Sequence, residues 1–193
     1  MRLRPYRSLI GCLLYITTCT RPDVGYMVTQ ISKFLENPGL LHCKAAIRVL
    51  RYLKTTREYG ILHQGGTGTV TVEAFSDADW GTNIDDRRLV SGVLVMIGNA
   101  PVVFKSKFQR TVALSSAEAQ YMALSLCVHE VLWMRAMLKD MEIEQKTATQ
   151  IWEDNQGAIA LAKSAGYNSK TNHVDIKHHF TRENVENGTV QID

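Results

Sequence analysis

The run Thr69–Trp80, TVTVEAFSDADW, constrains the fold more than any other stretch, because apolar and polar residues alternate along it. Val70, Val72 and Ala74 fall on one face and Thr71, Glu73, Phe75 and Asp77 on the other, the two-residue period of a half-buried strand. A strand is therefore predicted here. Its end brings Asp77 to the junction of strand and loop, where a carboxylate is held rigidly yet reaches solvent, as a hard cation or a reacting phosphate requires. Considered alone, Asp77 reads more simply as a solvated turn residue.

Downstream, a polar loop over 81–88 leads to a second predicted strand, Leu89–Ile97, a Gly98-Asn99 turn and a third strand, Ala100–Lys105. Gly-Asn between two apolar runs is a hairpin signal. A long helix is predicted over Ser115–Met141, with Ser115 as cap and Glu118 three residues on as its capping-box partner. Tyr121, Met122, Leu124, Ser125, Val128, Leu132 and Met137 supply its buried stripe. A short strand, Gln150–Glu153, ends at Asp154, and a helix follows over Gln156–Lys163. A last helix, His173–Asn187, is closed by Gly188, and Thr189–Ile192 starts another strand.

Upstream the period is helical. Ser8–Thr18 forms one predicted helix, and Arg21-Pro22-Asp23 opens a second, with proline in the first turn where its missing N–H costs nothing. Val24, Met27, Val28, Ile31, Phe34 and Leu35 mark its core face, and Asn37-Pro38-Gly39 stops it. The third helix, Leu41–Thr55, sets Ala46, Val49, Leu50 and Leu53 against Lys44, Arg48 and Arg51. Three cations on one face suit a phosphate backbone, and equally a plain solvated surface. The glycine-rich stretch Gln64–Gly68 lacks a phosphate-loop pattern and reads as the linker between a segment 1–66 and a domain 67–193.

Charge follows the same division. Residues 1–66 carry ten Lys/Arg against three Asp/Glu, a balance of +7, and the remainder stands at −4. A basic lobe joined to an acidic one points to polyanion contact by the first and a purposeful concentration of carboxylates in the second, unless both are solvated surfaces of chance composition. Cys12, Cys19, Cys43 and Cys127 show no C-x-x-C pairing and no histidine at ligand spacing, so they read as reduced, mostly buried thiols of an intracellular protein rather than zinc ligands. The longest apolar run near the start, Leu9–Thr17, is too short to span a bilayer, and no membrane partner is expected.

Three carboxylates now occupy comparable places: Asp77 and Asp154 at strand ends and Glu118 in the first turn of the long helix. Neighbouring strand ends beside a helix terminus would bring them within a few ångströms of one another. Carboxylates that close repel unless cations lie between them, and all-oxygen ligands select Mg²⁺ or Mn²⁺ over zinc. Taken singly, each has a plainer role: Glu118 closes the capping box, Asp154 caps the next helix and Asp77 sits in a turn.

In order, FSDADW, RRLVSG with Gly98 after it, KSKFQRTVALSSAEAQYMAL, IWEDNQGAIAL and HVDIKHHFTRENVENG resemble the ribonuclease H domain of copia-type retrotransposon polyproteins. YRSLIGCLLYITTCTRPDVGYMVTQISKFLENP and KAAIRVLRYLKTTREYGILH resemble the thumb and connection region that ends the same element's reverse transcriptase. The resemblance implies an α/β fold of ribonuclease H type, a mixed five-stranded sheet flanked by helices and preceded by a small helical segment. It also implies a metal-dependent endonuclease that hydrolyses the RNA strand of RNA–DNA hybrids. Two Mg²⁺ ions, replaceable by Mn²⁺, would be held by Asp77, Glu118 and Asp154. The polymerase domain of the same polyprotein would be its partner, in the cytoplasmic virus-like particle of the element.

The family's fourth carboxylate is expected past the last strand, in a segment resembling Ala-Asp-x-x-Thr-Lys that lies beyond Asp193; Asp175 is the substitute inside this sequence. A chain without that ligand is expected to be weakly active or inactive. Ser115, Ser116, Asn155 and Gln156 offer neutral donors for ribose hydroxyls, unless they only cap helices. Lys105, Lys107 and Arg110 suit phosphates of the DNA strand, and His173 suits the scissile phosphate, whereas His178 and His179 read as substrate contact or plain surface. The competing reading is a non-catalytic fragment of the reverse transcriptase that binds heteroduplex through the basic lobe. A DNA-cutting nuclease of the same fold is disfavoured by the Ser115-Ser116-x-Glu118 pattern.

Overall fold

A computed structural model of the chain describes residues 5–65, 70–79, 89–109, 113, 115–163 and 172–193, with backbone alone for 172–178. The chain divides into two compact units, Met1–Leu62 and His63–Asp193. In the first, α1 (Tyr6–Cys19), a 3₁₀ turn (Pro22–Val24), α2 (Gly25–Ser32) and α3 (Leu40–Thr55) enclose a core of Tyr6, Ile10, Leu13, Val24, Val28, Ile31, Ala46 and Val49. Tyr6 is buried with its hydroxyl donating to the Ile31 carbonyl (2.7 Å), so its polar end is satisfied inside an apolar cluster.

Arg21 locks this unit. Its buried guanidinium makes two bonds to the Asp23 carboxylate (2.9 and 2.7 Å) and donates to the carbonyl and hydroxyl of Thr56 (3.0 and 2.7 Å). The end of α3 is thereby tied back to the turn after α1. Two residues assigned to the core by periodicity are exposed, Met27 at 48% and Leu50 at 40%, and Cys12 and Cys19, expected among mostly buried thiols, are exposed too. The helical period marks a stripe but not its width, and three short helices bury only the centre of each stripe. Helix α2 also ends at Ser32, short of Asn37-Pro38-Gly39, with the Ser32 hydroxyl donating to the Thr29 carbonyl (2.7 Å).

The second unit is a five-stranded sheet of order β3-β2-β1-β4-β5. Its strands are β1 (Val72–Asp79), β2 (Val90–Ile97), β3 (Ala100–Phe108), β4 (Thr149–Trp152) and β5 (Val190–Ile192). Strands β1, β2 and β3 run antiparallel in sequence, and β4 joins β1, and β5 joins β4, in parallel. The sheet is therefore mixed, flanked by helices and preceded by a helical segment, the ribonuclease H-like class expected. The alternation in β1 is realised: Val72, Ala74, Ser76 and Ala78 are buried and Phe75 and Asp77 are exposed. Gly98 and Asn99 both take positive φ (54° and 68°), the requirement of the two-residue turn that best matches hairpin twist.

Helix α4 (Ser116–Asp140) lies on the inner face, with Leu124, Val128, Val131, Met134 and Leu138 in one cluster with Val72, Ala74, Val93, Val95 and Ile151. Residues 119–125 are buried on every side of the helix, because α5 (Gln156–Lys163) and α6 (Asn172–Glu186) pack against it too. Leu132 and Met137, expected in the stripe, are only partly buried. Among the described residues no helix is long and apolar enough to cross a membrane.

Candidate metal and nucleic-acid site

The pairing of β1 with β4 sets the geometry. The parallel register runs Glu73 to Gln150, Ala74 to Ile151 and Phe75 to Trp152. The pairing ends there; Asp77 follows Phe75 and Asp154 follows Trp152 by two residues, both on the parity opposite the buried Ala74 and Ile151 and both exposed. On the other side of Asp77, β2 supplies Gly92, where a Cβ would meet the Asp77 carbonyl at 3.6 Å.

The start of α4 reaches the same end of the sheet. Ser115 caps the helix, its hydroxyl accepting from the Glu118 N–H at 3.2 Å. Two residues on from Glu118, the buried Gln120 donates through one nitrogen to Asp77 Oδ1 and to the Ala78 carbonyl, both at 3.0 Å. Asn155 caps α5, its Oδ1 accepting from the Ala158 N–H at 3.0 Å. A Cβ at Gly157 would stand 3.0 Å from that of Ala117, so the first turns of α4 and α5 touch. Glu118 and Asp154 each lie one residue from this junction.

Asp77, Glu118 and Asp154 thus share one end of the sheet. The sequence reading expected them within a few ångströms; among the described residues no three His, Cys, Asp or Glu side chains gather closely enough to hold a metal ion. The donor chemistry still fits a hard divalent ion, since every candidate ligand is a carboxylate oxygen on a rigid element.

Sequence reasoning missed Glu153. It is 4% exposed, accepts from the Ser76 hydroxyl (2.7 Å) and from the Asn155 N–H (3.1 Å), and burial pushes its acid above the usual carboxylate range. Cys127 above it is fully buried, and that burial, with Glu153 and Glu130 nearby, pushes its thiol up to about 12. Strand parity was the available signal, since Ile151 faces inward and residue 153 must follow it. Gln120 gave no signal beyond its place two residues after Glu118.

The other expected residues fare differently. Lys105 pairs with Glu130 on α4, its side chain opposite Val93 on the helix-covered face, while Lys107 is exposed. Ser115 and Asn155 perform the capping roles, with Ser116 and Gln156 exposed in the first turns beside them. Asp175, His173 and His178 lie in α6 by backbone, and their side chains, like Arg110, are outside the described residues. His179 is exposed, its Nδ1 at 2.9 Å from Arg182 Nη2.

No protein-family model matches the chain. It is 36% identical over 188 residues, 97% of its length, to the retrovirus-related Pol polyprotein from transposon TNT 1-94 of Nicotiana tabacum. The chain is homologous to retrotransposon Pol polyproteins. It spans 14% of that Pol relative's length. This Pol homologue is also 42% identical, over 69% of its own length and 94% of the other, to secreted RxLR effector protein 161 of Plasmopara viticola. Among solved structures, a foamy viral protease-reverse transcriptase in complex with double-stranded DNA aligns at TM-score 0.58, 9% identity, over 99% of this chain and 31% of that one. A ribonuclease H1 isolated from compost aligns at TM-score 0.45 and 11% identity over 64% of this chain and 82% of that one.

Proposed function

We propose that residues 67–193 are the ribonuclease H domain of a copia-type Pol polyprotein and residues 1–66 the end of its reverse-transcriptase thumb and connection. The domain hydrolyses the RNA strand of an RNA–DNA hybrid during reverse transcription. The observation that supports this reading is the parallel pairing of β1 with β4, with Asp77 two residues past its last pair on one strand and Asp154 two residues past it on the other, and the start of α4 tied to Asp77 through Gln120.

Asp77, Asp154 and Glu118 would hold two Mg²⁺ or Mn²⁺ ions. When bound, such a pair supplies a nucleophile at neutral pH and stabilises the leaving 3′-oxygen of an in-line displacement. The chain's own part is positional. Gln120 fixes one oxygen of Asp77, and Ser115 and Asn155 fix the helix ends beside it. Exposed Ser116, Gln156 and Lys107 are placed for ribose and phosphate contacts, and Lys44, Arg48 and Arg51 form an exposed cationic face on α3.

Cleavage of a labelled RNA–DNA hybrid in Mg²⁺ tests this, with Asp77→Asn as control. Weak cleavage that the substitution abolishes, with hybrid binding retained in a mobility shift, is the expected result; equal cleavage by both proteins refutes the site. The exposed Lys44, Arg48 and Arg51 of α3 favour one alternative, heteroduplex binding without hydrolysis. Tight binding by both proteins with no cleavage by either would establish it.

A further inference from the structure

Glu153 is a buried acid that the reading above does not use. One of its oxygens reaches the strand that carries Asp77 and the other the chain just after Asp154. Oε2 accepts from the hydroxyl of Ser76, itself buried and immediately before Asp77 on β1. Oε1 accepts from the N–H of Asn155, immediately after Asp154. The main-chain pairing of β1 with β4 stops at Phe75 and Trp152, so from there onward this carboxyl is the bridge described between the two strand ends. It lies on the inner face, whereas Asp77 and Asp154 have the outward parity.

We infer that Glu153 is a positioning residue that fixes the spacing between Asp77 and Asp154, and so the affinity of the site for divalent ions. The inference rests on the proposed metal site. A main-chain ladder would set this spacing at the ordinary inter-strand distance. Beyond the last main-chain pair, a side-chain bridge one residue from each carboxylate takes its place. The Asn155 end of the bridge also connects to α5, because the Asn155 side chain caps that helix through the Ala158 N–H. One carboxyl therefore couples strand β1, strand β4 and the first turn of α5. Its contacts are hydrogen bonds that a glutamine can reproduce: the amide oxygen accepts from Asn155 and the amide nitrogen donates to Ser76.

The test is Mn²⁺ affinity, read from the loss of the free-ion electron paramagnetic resonance signal, in the full chain and in Glu153→Ala, Glu153→Gln, Ser76→Ala and Asp77→Asn, each checked for folding by circular dichroism. Groups that orient metal ligands typically contribute about 10- to 100-fold in affinity. Glu153→Ala is expected to weaken Mn²⁺ binding by about that factor and Ser76→Ala by the lower end of it, while Glu153→Gln stays within a few-fold of the parent. Folded Glu153→Ala that binds as tightly as the parent overturns the inference. If Glu153→Ala does not fold, Ser76→Ala and Glu153→Gln decide: parent-like affinity in the first, or a full loss in the second, overturns it as well. Equal Mn²⁺ binding by the parent and Asp77→Asn would instead remove the metal site itself, and with it the basis of the inference.

Discussion

Replacing Gly157 by alanine probes the junction on which the site depends. The added Cβ would lie 3.0 Å from the Ala117 Cβ and 3.0 Å from Asn155 Oδ1. Carbon atoms prefer about 3.5 to 4.0 Å, so one of the three must move by about half an ångström or more. Neither neighbour yields cheaply. Ala117 belongs to the first turn of α4, anchored by the fully buried Ala119, and Asn155 Oδ1 is committed to the Ala158 N–H. Overpacking of this kind costs about 1–3 kcal/mol, and displacing the cap adds up to about 1 kcal/mol. The better helix propensity of alanine returns about 0.5–1 kcal/mol. A net destabilisation of about 1–2 kcal/mol is expected, measured as a lower urea midpoint at unchanged slope. Ala117→Gly in the same chain should relieve the clash, giving a coupling above about 0.5 kcal/mol in a double-mutant cycle. Gly157→Ala as stable as the parent, or additive with Ala117→Gly, would refute the contact between the two helix starts.

Two further outcomes follow from local electrostatics. The bonds from Arg21 hold the Asp23 carboxyl below its ordinary range, so the stability this pair contributes is present above the ordinary carboxylate pKa and is lost as pH falls through the depressed value. Melting of the first unit should therefore fall on acidification below about pH 4, and Asp23→Asn should flatten that dependence and lower the melting temperature most at neutral pH. With its thiol pushed up to about 12 and no solvent exposure, Cys127 should resist alkylation at pH 8 until the chain unfolds, while the exposed Cys12 and Cys19 react at once; mass spectrometry of the modified peptides reads this directly.

Those features that depend on near neighbours in sequence were legible in it. The alternation at Val72–Asp79, the Gly98-Asn99 hairpin and the Ser115 cap each rest on residues within a few positions of one another, and each is found in the structure. Features set by packing were not. Met27 and Leu50 belong to helical stripes by period, yet no sequence pattern says how wide a strip the neighbouring helices cover. Lys105 reads as a phosphate contact until its register opposite Val93 turns it toward Glu130, 25 residues away. That β1 and β4 lie side by side was legible only as a topology, because it depends on a parallel pairing between strands more than seventy residues apart. Glu153 was overlooked although it adjoins Asp154, since an acid next to a strand end reads as solvated unless its inward parity is weighed.

Mn²⁺ located by anomalous X-ray diffraction in a crystal of this protein tests the central claim most directly. Peaks within ligand distance of Asp77 and Asp154 oxygens, with Glu118 completing the set, are expected, and they should vanish in Asp77→Asn. Mn²⁺ bound elsewhere with that end of the sheet empty, or peaks unchanged by the substitution, would contradict it.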